Sequence, residues 1–260
     1  MTVYPNIKLN LGLTVLGKRP DGYHELRTAF VPCYTFSDCL EIVPSASFEV
    51  DVYGEQYTGW DPNEDLTARA WRLLRADFGI PPVKISLEKR SPVGAGLGGG
   101  SADGAFALVA LSDMFSLGLS LRQLSSYAAQ LGSDCPFFVY NFPMFASGRG
   151  EILEPLQLPL DGWRFEVSVP SGVHISTKEA YAGLGAKEAV VPENPDALRE
   201  TLLNTPVEKW KGLVVNDFEA SVFPSHPEVA ALKEDFYRRG AVYASMSGSG
   251  SAVFGIFKKD

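Results

Sequence analysis

Ten consecutive residues carry the most recognisable chemistry of the chain: Pro92-Val93-Gly94-Ala95-Gly96-Leu97-Gly98-Gly99-Gly100-Ser101, with five glycines in seven positions. Backbone N–H groups at a helix start point outward unpaired and carry the positive end of the helix dipole, and glycines there let a polyphosphate come close. The segment is suited to holding the phosphates of ATP. Its string Gly94-Ala95-Gly96-Leu97-Gly98-Gly99 also satisfies the dinucleotide pattern G-x-G-x-x-G. That fold needs an acidic residue about twenty positions on, where this chain reads Leu117-Gly118-Leu119-Ser120-Leu121. A Walker loop needs Lys before its Ser or Thr, and Gly100 precedes Ser101 here; the H-R-D and D-F-G strings of protein kinases do not occur. The plainer alternative is a flexible turn.

Elements must position such a loop. Ile7, Leu9, Leu11, Leu13 and Val15 alternate with Lys8, Asn10, Gly12 and Thr14, the pattern of a half-buried strand. Further strands are expected over 30–35, 40–43, 48–53, 83–87, 144–146, 165–169, 242–246 and 252–257. A helix is expected over 65–78, with Leu66, Ala70, Leu73 and Leu74 on one stripe and Gly79 as its C-cap. Another should begin at Ser101 as N-cap and run over 102–115, apolar nearly all round and so buried between layers. Two more are expected over 176–184 and 229–239. Residues 185–195 read as a variable surface loop. Strands dominate early and helices interleave with strands later, which predicts an α+β protein in two closely packed lobes.

With 260 residues, 45% of them hydrophobic, the chain can bury a sizeable core. A formal net charge of -8 argues against a nucleic-acid partner, which would need a basic face. There is no run of eighteen apolar residues, and Met1-Thr2-Val3-Tyr4-Pro5-Asn6 has neither the charged nor the apolar region of a signal peptide. A soluble, cytoplasmic protein with no membrane partner is expected. Cys33, Cys39 and Cys135 are odd in number and form no C-x-x-C pair, so neither a zinc site nor a disulfide framework is expected.

The loop in its longer form, PVGAGLGGGSADG, resembles the phosphate loop of the GHMP kinases, which include galactokinase, homoserine kinase, mevalonate kinase and phosphomevalonate kinase. Four other stretches are Pro5-Asn6-Ile7-Lys8-Leu9-Asn10-Leu11, Arg19-Pro20-Asp21-Gly22-Tyr23-His24, Leu131-Gly132-Ser133-Asp134-Cys135-Pro136-Phe137 and Ser245-Met246-Ser247-Gly248-Ser249-Gly250-Ser251. In order and across nearly the whole chain, they resemble the branch of that family whose alcohol substrate carries cytidine diphosphate. The resemblance implies the GHMP kinase two-lobed α+β fold, with a ribosomal protein S5-like N-terminal lobe over 1–150 and a ferredoxin-like C-terminal lobe over 151–260. It implies ATP- and Mg²⁺-dependent phosphorylation of the 2-hydroxyl of that small molecule, and leaves the oligomeric state open.

The same resemblance implies roles. Lys8 and Asp134 are expected to be catalytic and close together. Lys8 would neutralise the transferring phosphoryl group or lower the hydroxyl's pKa, and Asp134 would accept the hydroxyl proton. Lys89 and the loop residues, Pro92 through Ser101 together with Ala102, are expected at ATP. Asn10, Tyr23, His24, Ser176, Thr177 and Tyr181 are expected at the substrate, Tyr23 by stacking on the cytosine and His24 by hydrogen bonding. No metal ligand is assigned. Taken singly, these residue types have plainer uses: a strand lysine is usually solvated, an aspartate beside Gly and Ser shapes a turn or cap, and a lone histidine is usually structural. Ser101 can cap a helix as readily as meet phosphate or magnesium. Asp103 suits the helix dipole but would repel phosphate, so it points away or acts through magnesium. The uncharged tail turn, residues 246–251, is expected beside the glycine loop. Ala102, Ser91 and Asp65 depart from the family's usual serine, aliphatic residue and asparagine.

Overall fold

The structure is a computed structural model that describes residues 1–20, 22–184 and 194–259. Asp21 of the turn expected at Pro20-Asp21-Gly22, and residues 185–193 of the expected surface loop, lie outside the described residues. In chain order the strands are β1 (Thr2–Val3), β2 (Asn6–Lys18), β3 (His24–Ser37), β4 (Cys39–Pro44), β5 (Glu49–Tyr53), β6 (Val83–Glu88), β7 (Met144–Ser147), β8 (Ile152–Pro155), β9 (Trp163–Ser168), β10 (Tyr243–Met246) and β11 (Val253–Lys258). The helices are α1 (Leu66–Phe78), α2 (Gly99–Met114), α3 (Leu121–Leu131), α4 (Cys135–Tyr140), α5 (Thr177–Ala182), α6 (Ala197–Asn204), α7 (Phe218–Val222) and α8 (Pro227–Arg238). The chain forms two compact units that interleave along the sequence. One holds Met1–Ile7, Phe36–Val93 and Gly98–Phe142; the other holds Lys8–Thr35, Gly94–Leu97 and Pro143–Asp260. Among the described residues no helix is long and apolar enough to cross a membrane.

In the first unit a four-stranded sheet runs β1-β4-β6-β5, antiparallel except for the β5–β6 pair. β6 shows why: Val83, Ile85 and Leu87 are fully buried while Lys84, Ser86 and Glu88 between them are only partly so. α1 stops at left-handed Gly79 (φ 65°), as the pattern predicts, but starts one residue later than expected, because the Asp65 side chain accepts the Thr67 N–H (2.9 Å) as N-cap. α2 differs from expectation at its start. It begins at Gly99, with left-handed Gly98 (φ 71°) as N-cap and no side-chain cap bond. Ser101 therefore falls inside the first turn, where its hydroxyl pairs with the Cys135 thiol instead of capping. α2 packs on α1, α3, α4 and β4, as its apolar circumference predicts. Gly104 permits the α1 contact, because a β-carbon there would stand 2.8 Å from Leu66 Cβ. Fully buried Leu74, Leu108 and Leu111 each contribute roughly 1.5–3 kcal/mol at this packing. Neither α3 nor α4 was expected. α3 opens on a capping box, the Ser120 side chain on the Gln123 N–H and the Gln123 side chain on the Ser120 N–H.

In the second unit one sheet runs β2-β3-β7-β8 and another runs β10-β11-β9. β2 corrects the half-buried reading: Lys8 and Asn10 are 4% and 2% exposed, so its polar face is covered as fully as its apolar one. β11 is central in its sheet and buried over Val253, Phe254, Gly255 and Ile256. A β-carbon on Gly255 would lie 2.6 Å from Phe236 Cδ1, which places α8 tight against the strand. Leu13, Phe218, Val222, Val229, Phe236 and Met246 share one apolar cluster with that strand.

Candidate active site

The glycine loop has an alternating backbone. Gly94 (φ 71°), Gly96 (φ 77°) and Gly98 (φ 71°) are left-handed, whereas Ala95 and Leu97 between them are not. A left-handed non-glycine residue costs roughly 1–2 kcal/mol, which accounts for glycine at every second position. Such alternation turns successive N–H groups to one side, an arrangement that binds anions. The first turn of α2 adds the N–H groups that a helix leaves unpaired at its start.

In the second unit residues 94–97 are clamped. The Leu97 carbonyl accepts the Lys8 N–H (2.9 Å), the Ala95 carbonyl accepts the Ala252 N–H (3.1 Å), and the Gly96 carbonyl accepts the Ser247 hydroxyl (3.1 Å). The tail turn thus lies beside the glycine loop, as expected. Asn10 organises the junction. Its backbone N–H donates to Ser247 Oγ (3.2 Å) and its Nδ2 donates to Thr28 Oγ1 (3.0 Å). Its Oδ1 accepts the Lys8 ammonium (2.5 Å). That ammonium also lies 4.8 Å from the centre of the Phe30 ring, which leaves its position little freedom. Asn216 holds the tail turn from behind: Nδ2 donates to the Met246 (2.8 Å) and Gly248 (2.9 Å) carbonyls and Oδ1 accepts the Phe218 N–H (3.0 Å). Neither Thr28 nor Asn216 stands out in the sequence, since each lies in a run without motif or charge pattern.

The first unit holds Lys89, the start of α2 and Asp134. Lys89 is 2% exposed, and its ammonium donates to Asp38, to Asp103 (2.6 Å) and to Ser91 Oγ (3.3 Å). Burial alone would lower its pKa, but the carboxylates of Asp103 and Asp38 outweigh that and raise it, so it is a charged lysine inside the unit. Asp103 takes the first of its two expected orientations: it points into the buried side of α2, toward Lys89. Two departures from the family pattern acquire uses here, Ser91 in the Asp38 cluster and Asp65 as the α1 cap that also accepts Trp60 Nε1 (3.2 Å). Asp134 occupies the N-cap position of α4, half-buried, yet its side chain makes no capping bond. The neighbouring Cys135 thiol is pushed up to about 12, chiefly by burial, so it stays protonated and is no nucleophile.

On the substrate side of the expectation, the His24 ring stacks on Tyr181 with centroids 4.3 Å apart and planes 20° apart, and Tyr181 meets Phe218 edge-on at 4.8 Å. Tyr23 is exposed, with the Arg149 guanidinium 4.6 Å from its ring centre. Thr177 Oγ1 lies 3.4 Å from Ser249 Oγ of the tail turn, while the Ser176 hydroxyl caps α5 by accepting the Glu179 N–H (3.1 Å). Burial, then the nearby Lys18 charge, lowers the His24 pKa, so its ring is neutral at neutral pH and can both donate and accept a hydrogen bond.

α5 is also tied through His226, whose Nε2 lies 3.0 Å from Glu179 Oε1 and Nδ1 3.4 Å from Glu228 Oε1. The hydrogen bond to Glu179, joined by that to Glu228, raises the His226 pKa above its ordinary 6.5. A raised pKa gives stability that is complete below 6.5 and lost as the pH climbs through the folded value. Urea unfolding from pH 6 to 9 is expected to show this loss, at most ~1 kcal/mol for so exposed a pair, in the native chain and not in His226→Gln. Parallel pH curves for the two proteins would show that the pair contributes nothing.

Comparison with known proteins agrees with this geometry. The family described as GHMP kinases N terminal domain matches residues 65–142, and that described as GHMP kinases C terminal matches residues 193–260. The chain belongs to the GHMP kinases, and its α+β architecture is the fold of that family. A relative from Bacteroides thetaiotaomicron that bears the name 4-diphosphocytidyl-2-C-methyl-D-erythritol kinase is 45% identical over 264 residues, covering 100% of this chain and 93% of the relative. One of the same name from Azobacteroides pseudotrichonymphae is 44% identical over 259 residues, covering 100% and 94%. A crystal structure of 4-(cytidine 5'-diphospho)-2C-methyl-D-erythritol kinase matches with a TM-score of 0.79 at 34% identity, over 100% of this chain and 91% of that one.

Proposed function

We infer that this chain transfers the terminal phosphoryl group of ATP to the 2-hydroxyl of 4-diphosphocytidyl-2-C-methyl-D-erythritol, a step of the non-mevalonate route to isoprenoid precursors. The observation that carries the reading is likeness along the entire chain, at 45% identity, to a relative bearing that kinase's name. The left-handed glycine loop clamped beside Lys8 supports it independently. Phosphoryl transfer needs mainly positioning and charge neutralisation. In this reading residues 92–102 hold the phosphates of ATP through backbone N–H groups, and Lys8 neutralises charge on the transferring group. Asp134 takes the hydroxyl proton as the alcohol oxygen bonds to phosphorus and the bond to the ADP oxygen breaks. Asn10, Tyr23, His24, Ser176, Thr177 and Tyr181 serve the substrate; the neutral, stacked His24 ring suits the edge of a cytosine.

Among the described residues no group of three or more His, Cys, Asp or Glu side chains is placed to hold a metal ion. In this reading a magnesium ion would enter on the nucleotide, with phosphate oxygens and water filling most of its shell, and would neutralise phosphate charge.

The test is incubation of the purified protein with ATP, Mg²⁺ and 4-diphosphocytidyl-2-C-methyl-D-erythritol. ADP is expected to form in step with phosphorylated product, and no product is expected from homoserine or mevalonate. Folded protein that phosphorylates neither would end the kinase reading, and product from another alcohol alone would move the substrate within the family.

A further inference from the structure

Three buried side chains of the first unit join the segment leading into the glycine loop to the helix that leaves it, and the transfer step described above uses none of them. Asp38 lies between β3 and β4 with 0% exposure, and four hydrogen bonds converge on it. Oδ1 accepts the backbone N–H groups of Arg90 (2.6 Å) and Ser91 (2.7 Å), and Oδ2 accepts the Ser91 hydroxyl (2.6 Å) and the Lys89 ammonium. This holds residues 89–91, which lead directly into Pro92 and Val93. The Lys89 ammonium continues the chain to Asp103 Oδ2 at 2.6 Å, one turn into α2. Gly99, the first residue of α2, lies against the same cluster: a β-carbon there would stand 2.4 Å from Ser91 Oγ and 3.6 Å from Lys89 Nζ.

A buried ion pair is a poor source of stability, because desolvation of the charges offsets most of their attraction. What it supplies is geometry: the ammonium sets the spacing between two backbone segments to within a hydrogen bond's tolerance. Both carboxylates are buried, but their hydrogen bonding differs. Asp38 uses both oxygens, whereas Asp103 Oδ1 has no hydrogen-bond partner among the described residues. Burial and the nearby Asp38 push the Asp103 carboxyl well up against the pull of Lys89, so the α2 end is the weaker one.

We propose that Asp38 is a positioning residue for the nucleotide: through Lys89 it sets where both ends of the glycine loop stand, and Lys89 serves ATP through that strut instead of by contact. The proposal rests on the reading of the loop as the ATP site.

Binding of a non-hydrolysable ATP analogue with Mg²⁺, measured by calorimetry on the full chain, needs no alcohol and so stands apart from the substrate assignment. Asp38→Asn and Lys89→Met are each expected to weaken it about tenfold, in line with the cost of a loop displaced by less than 1 Å. The double variant is expected to be no worse than the poorer single one, because both cut the same strut. Affinity for cytidine diphosphate should stay within about twofold, which general loosening of the fold would not leave unchanged. Asp38→Asn with native nucleotide affinity beside a weakened Lys89→Met, or losses that add in the double variant, would overturn the strut in favour of direct contact. If near-UV circular dichroism shows Asp38→Asn unfolded, Ser91→Ala, which keeps every charge, decides: about threefold weaker binding is expected, and native binding would overturn the proposal. A native chain that binds no nucleotide would instead remove the ATP-site reading on which the proposal rests.

Discussion

Asp134→Asn is expected to lower kcat by about 10²–10⁴-fold, with KM for ATP and for the cytidine substrate close to native. The carboxamide keeps the shape and the place of the side chain at the start of α4, but it cannot take a proton from the attacking hydroxyl. Because the native side chain makes no capping bond, the substitution removes no helix cap. A loss confined to kcat marks an interaction made only in the transition state. Lys8→Met makes a useful companion. The Lys8 ammonium is held by Asn10 Oδ1 and the Phe30 ring in a nearly fully buried position, where charge acts strongly on a developing anion. If both residues act on one step, their combined loss will be smaller than the product of the single losses. An Asp134→Asn enzyme turning over within about threefold of native would remove Asp134 as the base.

Gly96→Ala is expected to weaken nucleotide binding at least about tenfold and to destabilise the fold. Two costs act together. The residue is left-handed (φ 77°), which costs roughly 1–2 kcal/mol for alanine. Its β-carbon would also stand 2.2 Å from the Ser247 carbonyl oxygen and 3.1 Å from its carbon, an overlap with backbone that costs about 1–3 kcal/mol to relieve. Ser247 is poorly able to yield, because Asn216 ties the carbonyls on either side of it. Gly94→Ala is the control: it is left-handed too (φ 71°), but its β-carbon would meet nothing within 4 Å. Urea unfolding and ATP-analogue titration of both variants isolate the clamp. If Gly96→Ala behaved like Gly94→Ala, the tail turn would be shown to give way, and its role in shaping the phosphate loop would be lost.

Much of the scaffold is legible one segment at a time. Alternating Val83, Ile85 and Leu87 announce β6, and Gly79 ends α1 where it should. The loop of five glycines declares anion chemistry before any partner is known, and the order of five motifs along the chain places it in its family. These signals are short-range: strand and helix periodicity, capping and left-handed turns are set by residues within a few positions of one another. The start of α2 shows the limit of such rules. Ser101 satisfies the preference for a serine cap, but left-handed Gly98 begins the helix earlier, and the serine hydroxyl finds the Cys135 thiol, from a distant motif.

The sequence by itself determined the α+β class, the glycine-rich loop and the family to which the chain belongs. Only the tertiary structure decided what the polar residues around that loop do. Alternation in β2 predicts a wet face for Lys8 and Asn10, yet that face is buried because Ser247, 237 residues away from Asn10 along the chain, bonds to it. Lys89 reads as a solvated or nucleotide-facing lysine until Asp38, 51 residues upstream, claims its ammonium. The grouping of Gly94–Leu97 with Pro143–Asp260 is likewise invisible in any local pattern. The reason is physical. A buried polar group must find a partner or bear the cost of desolvation, and that partner is brought to it by chain topology, which no window of neighbouring residues contains.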